Sequence, residues 1–157
     1  GKVKSIGVCN FLEDRIADLI LSHEIIPMVN QIELHPFCQQ KNLRTLMEQY
    51  NIASMAWAPF AEGRNNIFQN ETLLNIGKKY NKTPAQVILR WLRQKNIIAI
   101  PKSVHVWRIK ENHNIDDFTL STADIQKIDA MDTGKPLILN IHSVDEAFRL
   151  HNIKFVQ

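Results

Sequence analysis

The sequence is poor in cysteine and has no long apolar run. Of its 157 residues only Cys9 and Cys38 are cysteine, which excludes a disulfide framework, and their spacing to other ligand types matches no zinc pattern. No apolar run approaches the roughly 18 residues that span a bilayer, and no charged and then apolar leader is apparent. These absences predict a cytoplasmic protein without a membrane partner.

Strong charge of one sign is also missing. The formal net charge is only +3 at pH 7, and the lysines and arginines are scattered rather than gathered in a stripe, which argues against a nucleic-acid partner. Hydrophobic residues make up 45% of the chain, which is enough to bury a core, and the length is that of one ordinary domain. We therefore expect a single domain over residues 1–157.

Apolar periodicity predicts strands that alternate with helices. The predicted strands are 3–9, 28–33, 52–57 and 97–100. The predicted helices are 13–22, 40–50, 71–80, 84–94, a short one around Arg108, 121–131 and 144–150. This order is typical of an α/β fold with a parallel sheet and helices outside it. A closed TIM-type (β/α)8 barrel needs eight units and about 250 residues, so four parallel strand–helix units plus extra helices predict half of such a barrel.

The segment after the last predicted strand carries two cations where a short helix begins. Pro101 ends the strand because it has no N–H for a sheet ladder, and Lys102 and Arg108 flank the helix start. Cations are unfavourable at the positive end of a helix dipole, but the conflict disappears if a phosphate binds there. A solvated basic turn is the alternative. Phosphate sites in these barrels follow strands seven and eight, which favours the C-terminal half.

The same segment resembles a known cofactor site. Ile100-Pro101-Lys102-Ser103-Val104, followed by Arg108-Ile109 and Glu111-Asn112, is similar to the NADP-binding pattern of the aldo-keto reductases. The resemblance implies that the cofactor is NADP(H). It also implies that the 2′-phosphate is held by Lys102, Ser103 and Arg108. The adenine would be contacted by Glu111 and Asn112. Val106-Trp107 stands where the family usually has Pro-Glu.

The first two strand ends resemble the same family. Residues 5–11 are similar to its Gly-Val-Ser-Asn-Phe stretch, which implies that Asn10 binds the nicotinamide carboxamide together with Cys9, which replaces the usual Ser. Residues 30–36 are similar to its Asn-Gln-Ile-Glu-x-His-Pro stretch, which implies that Gln31 contacts nicotinamide. Without the family, Asn10 is a typical strand-end turn residue and Cys9 a small buried one.

The third predicted strand ends in Ala56-Trp57-Ala58-Pro59-Phe60. The family has an aromatic side chain here that stacks on the nicotinamide, so the resemblance implies a cofactor site that includes Trp57, Ala58 and Phe60. A core tryptophan is the alternative interpretation. The polar loop that follows occupies the position that covers the pyrophosphate in the family.

Three potential metal ligands lie close together in the sequence, namely Glu33, His35 and Cys38. No fourth ligand is apparent beside them, whereas structural zinc sites need four. The resembling family uses no metal either, so we expect none.

The resemblance implies a reductase that converts aldehydes or ketones to alcohols by hydride transfer from NADPH. The family's proton-donor Tyr and its Lys, Asp and His partners come from the first half of the barrel and have no counterpart here. The only tyrosines, Tyr50 and Tyr80, should lie away from the C-terminal strand ends. Two hypotheses therefore stand. The chain is either the NADP(H)-binding portion of an enzyme with a small carbonyl substrate, inactive alone, or a truncated, non-catalytic NADP(H)-binding or self-associating module.

A half-barrel should leave two sheet edges and one sheet face unpaired. Open edges carry free N–H and C=O groups that invite pairing. The candidate residues for the inner face are Ile6, Val8, Val29, Met55 and Ile98. Since the chain starts at Gly1 and has four units, we expect a truncation or fragment that either meets a missing N-terminal half-barrel or associates with itself.

Overall fold

A computed structural model describes residues 1–153, and the last four residues of the predicted tail lie outside the described part. The elements in chain order are β1 (Gly7–Cys9), α1 (Glu13–Ser22), β2 (Val29–Glu33), α2 (Lys41–Gln49), β3 (Ala53–Trp57), a 3₁₀ segment (Ala61–Gln69), α3 (Glu71–Tyr80), α4 (Pro84–Gln94), β4 (Ile98–Ala99), α5 (Val106–His113), α6 (Thr122–Asp129) and α7 (Val144–His151).

The four strands form one parallel sheet in the order β1-β2-β3-β4, which confirms the α/β prediction of four parallel strand–helix units with extra helices. All seven predicted helices are present, and those at 13–22, 71–80 and 84–94 have the predicted limits. The first and last strands are shorter than predicted. Strand β1 starts only at Gly7, because Pro27 precedes its partner strand and has no N–H to extend the ladder.

The hydrophobic core lies between one face of the sheet and the helices. Ile32 on β2 and Ala56 on β3 point into it and are almost fully buried. Trp91 on α4 is also fully buried, and its indole Nε1 donates to Asp129 Oδ1 on α6 at 2.8 Å. This bond satisfies the one polar atom of a large core side chain and fixes α6 against α4.

The opposite face of the sheet is partly open. Val29, Gln31 and Met55 lie on it at half-buried positions, and Ile98 is 45% exposed. The prediction that Val8 shares this face is wrong, because Val8 pairs in register with Asn30, which is buried against Met47 of α2, and therefore faces the helices.

Ile6, also predicted on the inner face, lies before the start of β1 and is 44% exposed. It has no place in the register of the sheet, so that prediction is wrong as well. Its carbonyl nevertheless accepts the N–H of Met28 at 2.8 Å, a single bond that ends the pairing between the first two strands.

The predicted polar loop after β3 is a kinked 3₁₀ segment, Ala61–Gln69. Left-handed backbone occurs at five of its residues, namely Ala61, Glu62, Gly63, Asn65 and Asn66. Such conformations are uncommon outside glycine and concentrate at functional sites. No helix within residues 1–153 is both long and apolar enough to cross a bilayer.

Candidate functional site

A row of side chains crosses the open face of the sheet, from the end of β1 through the middle of β2 and β3 to the start of β4. Cys9, Gln31, Met55 and Ile98 lie side by side, because each pairs in register with the next. Cys9 Sγ lies 3.7 Å from Gln31 Oε1, and Gln31 Nε2 lies 3.1 Å from Met55 Sδ. Sulfur is a weak hydrogen-bonding partner, so the Gln31 amide is aligned in the row with capacity left for a stronger partner.

Cys9 is an exposed residue of β1 rather than a buried one, although its thiol is partly desolvated. Burial raises the pKa of this thiol above its usual value, since desolvation disfavours the thiolate. The side chain can therefore act as a weak donor in the position where a serine hydroxyl would donate more strongly.

Asn10 and Trp57 meet at the ends of β1 and β3. Trp57 Nε1 donates to Asn10 Oδ1 at 2.7 Å, and the Asn10 backbone N–H donates to Gln31 O at 2.8 Å. Asn10 has φ of 57°, a left-handed conformation that asparagine tolerates better than most residues. The structure thus brings Asn10, Gln31 and Trp57 together. Because the Asn10 oxygen is engaged by the indole, its Nδ2 group is left to donate.

A second group of predicted residues lines a cavity of about 570 Å³ between α4, α5 and the 3₁₀ segment. This cavity contains six of the eleven predicted site residues, Phe60, Lys102, Ser103, Arg108, Glu111 and Asn112. Phe60 packs on Phe68 of the 3₁₀ segment with ring centroids 5.5 Å apart. Ala58, between Trp57 and Phe60, has φ of 46°, a sharp turn that directs the chain from the strand end towards this cavity.

The amino end of α5 faces this cavity. Its N-cap residue is His105, which makes no side-chain cap hydrogen bond within the described residues. The Ser103 hydroxyl accepts the His105 N–H at 3.2 Å. Arg108 lies with its guanidinium 4.8 Å from the centre of the Trp107 ring, and Trp107 stacks on His105. Two cations and a helix amino end therefore converge on one cavity, an arrangement suited to an anion.

Glu111 already has partners in the protein. Its Oε1 accepts the Thr83 hydroxyl at 2.7 Å, and its backbone carbonyl lies 3.3 Å from Gln86 Nε2. Thr83 and Gln86 form the capping box of α4, so one carboxylate joins that cap to the cavity wall. No local signal in the sequence links this cap to the site, because Thr83 and Glu111 are 28 positions apart.

Glu33, which in the sequence is only a potential metal ligand, binds backbone amides of a distant segment in the structure. It is 3% exposed, and its carboxylate accepts the backbone N–H groups of Leu137, Ile138 and Leu139 at 2.6, 2.9 and 2.8 Å. Burial pushes the pKa of Glu33 upward, but these bonds and that from His35 outweigh it, and the pKa is lowered. The group is thus a fixed anion rather than a proton donor.

The potential metal ligands Glu33, His35 and Cys38 are occupied by contacts within the protein. His35 Nδ1 accepts the Phe37 N–H, so Nε2 carries the hydrogen and donates to Glu33 Oε1 at 3.1 Å. Burial raises the pKa of Cys38 to about 12, which disfavours the thiolate that a metal needs. Both ring nitrogens of His35 and both oxygens of Glu33 are engaged by the protein itself.

The tyrosines lie where the sequence predicted, away from the carboxyl ends of the strands. Tyr50 follows α2 and precedes β3. Tyr80 ends α3, and its hydroxyl donates to Asp124 Oδ2 on α6 at 2.5 Å while accepting the Ser121 N–H. Neither tyrosine is among the residues that line the cavities with Asn10 and Trp57 or with Lys102 and Arg108.

The fold and the site together define half of a (β/α)8 barrel with a cavity lined by Lys102 and Arg108 after its last strand. A family model described as Aldo/keto reductase family matches residues 1–133. The chain belongs to this family. It is 46% identical over 135 residues to the 9,11-endoperoxide prostaglandin H2 reductase of Trypanosoma cruzi, an alignment that covers 85% of this chain and 48% of the relative.

Solved structures of aldo-keto reductases are also similar to this chain. MGS-M4, an aldo-keto reductase enzyme from a deep-sea metagenome library, is 38% identical with a TM-score of 0.87, over 92% of this chain and 54% of that one. A mutant of Gox0644 in complex with NADPH is 38% identical with a TM-score of 0.83, over 99% and 54%. The chain spans about half the length of the curated relatives and solved structures that it matches.

Proposed function

We propose that this chain is the NADP(H)-binding portion of an oxidoreductase that reduces aldehydes or ketones to alcohols by hydride transfer. The observation that carries the proposal is the cavity of about 570 Å³, in which Lys102, Ser103 and Arg108 gather at the amino end of α5. This set offers two positive charges, a hydroxyl and free helix N–H groups to one ligand. A 2′-phosphate matches it in charge and in hydrogen-bonding capacity.

The strand-end residues would hold the other end of the same cofactor. Asn10 presents its Nδ2 donor, Gln31 an amide with only weak sulfur partners, and Trp57 a flat indole whose N–H is already satisfied. These groups match a planar ring with a carboxamide. Cys9 would add a weak contact beside them. The neighbour in complex with NADPH supports this assignment by its similarity over nearly the whole chain.

Phosphate selectivity is tested by comparing NADPH and NADH titrations of Arg108→Ala with those of the parent protein. Loss of a charge-assisted hydrogen bond costs about 1.5–3 kcal/mol, so NADPH affinity should fall about 10- to 150-fold while NADH affinity changes little. Lys110→Ala is the matched control, because it removes the same charge from α5 outside the residues that line the cavity. Equal losses for both cofactors in Arg108→Ala would refute the assignment.

Turnover should require groups beyond those described here. The chemistry needs a proton donor beside the nicotinamide, whereas Tyr80 is bound to Asp124, Tyr50 lies at the opposite end of the sheet and Glu33 is a fixed anion. We propose that the strand-end site binds cofactor and that residues 1–157, as one domain, do not turn over a carbonyl substrate alone. The predicted cytoplasmic location belongs to the same proposal.

A second candidate is a non-catalytic module that associates through its open sheet. Among the described residues, β1 and β4 are sheet edges with one neighbour each. A groove of about 650 Å³ runs beside β4, where Ile98 and Ile109 are 45% and 52% exposed. Burying a few hundred Å² of such surface contributes several kcal/mol at about 25 cal/mol per Å². The partner would be a complementary half-barrel or a second copy.

Light scattering over a dilution series tests this association. We expect the isolated chain to form dimers or larger species at low micromolar concentration. A folded monomer in that range, with no partner present, would contradict the association proposal and leave the cofactor proposal untouched.

A further inference from the structure

The carboxy-terminal segment Pro136–His142 crosses the strand ends and borders a cavity of about 110 Å³ that also contains Asn10 and Trp57. The segment has little regular structure of its own. Within residues 1–153, its hydrogen bonds to other elements come from two side chains, and Leu137 also packs against the core.

The first of these is Glu33 at the end of β2. Its Oε1 accepts the N–H groups of Leu137 and Ile138, and its Oε2 accepts that of Leu139. Three consecutive amides thus converge on one buried carboxylate, whose remaining bond to His35 Nε2 fixes its orientation. Backbone amides bonded to a buried charge should exchange with solvent slowly.

The second is Arg64 in the 3₁₀ segment, whose Nη1 donates to the carbonyl of Leu137 at 2.9 Å. Leu137 is therefore held on both sides, through its N–H by β2 and through its carbonyl by the 3₁₀ segment. That segment also contributes Phe68 to the wall of the cavity assigned to the cofactor. The 3₁₀ segment, which has several residues in left-handed conformations, therefore contacts both Leu137 and the cavity assigned to the cofactor.

We propose that Glu33 is a positioning residue that docks Leu137–Leu139 on the strand ends, and that Arg64 links this docking to occupation of the cofactor cavity. The second half of the proposal rests on the proposed cofactor function. A ligand that orders the 3₁₀ segment against Phe68 should also order the carboxy-terminal segment, and by linkage a docked segment should favour cofactor binding.

Amide hydrogen exchange, resolved by residue, tests the role of Glu33. In Glu33→Gln, exchange of the amides of Leu137, Ile138 and Leu139 should speed up about tenfold or more relative to the parent, while core amides of α4 keep their rates. Glu48→Gln, an exposed change on α2, is the control and should change none of the three. Faster exchange everywhere would indicate general destabilisation, and unchanged exchange at the three amides would also overturn the proposal.

Glu33→Asp keeps the test decisive if the Gln variant does not fold. It preserves the charge but shortens the side chain by one methylene, so exchange at the three amides should lie between the rates of the parent and those of an undocked segment. Parent-like rates in Glu33→Asp, together with failure of Glu33→Gln to fold, would mean that Glu33 serves the core rather than the docking.

NADPH provides the test of the linkage. Saturating NADPH should slow exchange of the three amides several-fold in the parent and in the control Arg15→Ala, whereas Arg64→Ala should abolish this slowing and leave the protection from Glu33 in place. Equal slowing in Arg64→Ala would refute the linkage. If NADPH does not bind at all, the proposed function and the linkage both fail, and the effect of Glu33→Gln still decides the docking.

Discussion

Removal of the Tyr80 hydroxyl should destabilise the protein through one defined contact between α3 and α6. The hydroxyl donates to the Asp124 carboxylate at 2.5 Å and accepts the Ser121 N–H at 3.0 Å. Asp124 keeps two further donors, Lys79 and Ser121 Oγ, so Tyr80→Phe does not leave the charge unpaired. It removes one hydrogen bond to a charged group and orphans one N–H, and we expect a loss of about 1.5–3 kcal/mol.

Urea denaturation at pH 7 measures this loss. A slope of about 1–3 kcal/mol per M converts the expected loss to a decrease of about 0.5–3 M in the urea midpoint. Tyr50→Phe is the matched control, because Tyr50 is 42% exposed and its hydroxyl makes no hydrogen bond within residues 1–153. A change of less than about 0.5 kcal/mol in Tyr80→Phe, or an equal change in the control, would refute the energetic role of the contact.

Two further predictions concern acid and fluorescence. Burial raises the pKa of Asp124, but bonds from Lys79, Ser121 and Tyr80 lower it well below its usual range. The contribution of Asp124 to the free energy of unfolding is therefore complete above the pKa of an unfolded aspartate, near 3.9. This contribution is lost as the pH falls below about 4. Asp124→Asn should be less stable than the parent at pH 7 and should lose less stability between pH 5 and pH 3, as measured by urea denaturation. Equal losses of stability in the parent and the variant over this pH range would contradict the prediction. In a Trp107→Phe background, Trp57→Phe should abolish the quenching of fluorescence by NADPH, because Trp91 is buried beneath α6; quenching that survives would refute stacking on Trp57.

Helix positions were predictable because their signals are local. Thr83 and Gln86 form a capping box with Pro84 in the first turn, and Ser121 accepts the N–H of Asp124 at the start of α6. These residue types lie within four positions of one another, so their spacing alone fixes where the helices begin. The order of strands and helices likewise predicted the parallel sheet, since parallel neighbours need helical crossovers.

Strand limits and the face assignment of Val8 depended on partners that the local sequence does not contain. Strand β1 is limited by Pro27, which precedes the neighbouring strand β2, and Val8 is assigned by its register with Asn30. A shift of one residue in register exchanges the two faces of a strand. The local sequence of residues 3–9, Val-Lys-Ser-Ile-Gly-Val-Cys, carries no information on which register applies.

Glu33 and Glu111 show what sequence patterns leave undetermined in the site itself. Both are carboxylates in stretches that resemble the family, yet one is engaged by amides more than 100 positions later and the other by the cap of α4. A sequence pattern identifies the residue type, whereas the hydrogen-bonding capacity that its atoms retain depends on the completed fold. The Glu111 carboxylate keeps lone pairs for a second donor such as the adenine amino group, and because it also accepts the Thr83 hydroxyl, contact with adenine would couple cofactor affinity to the stability of the α4 cap through one side chain.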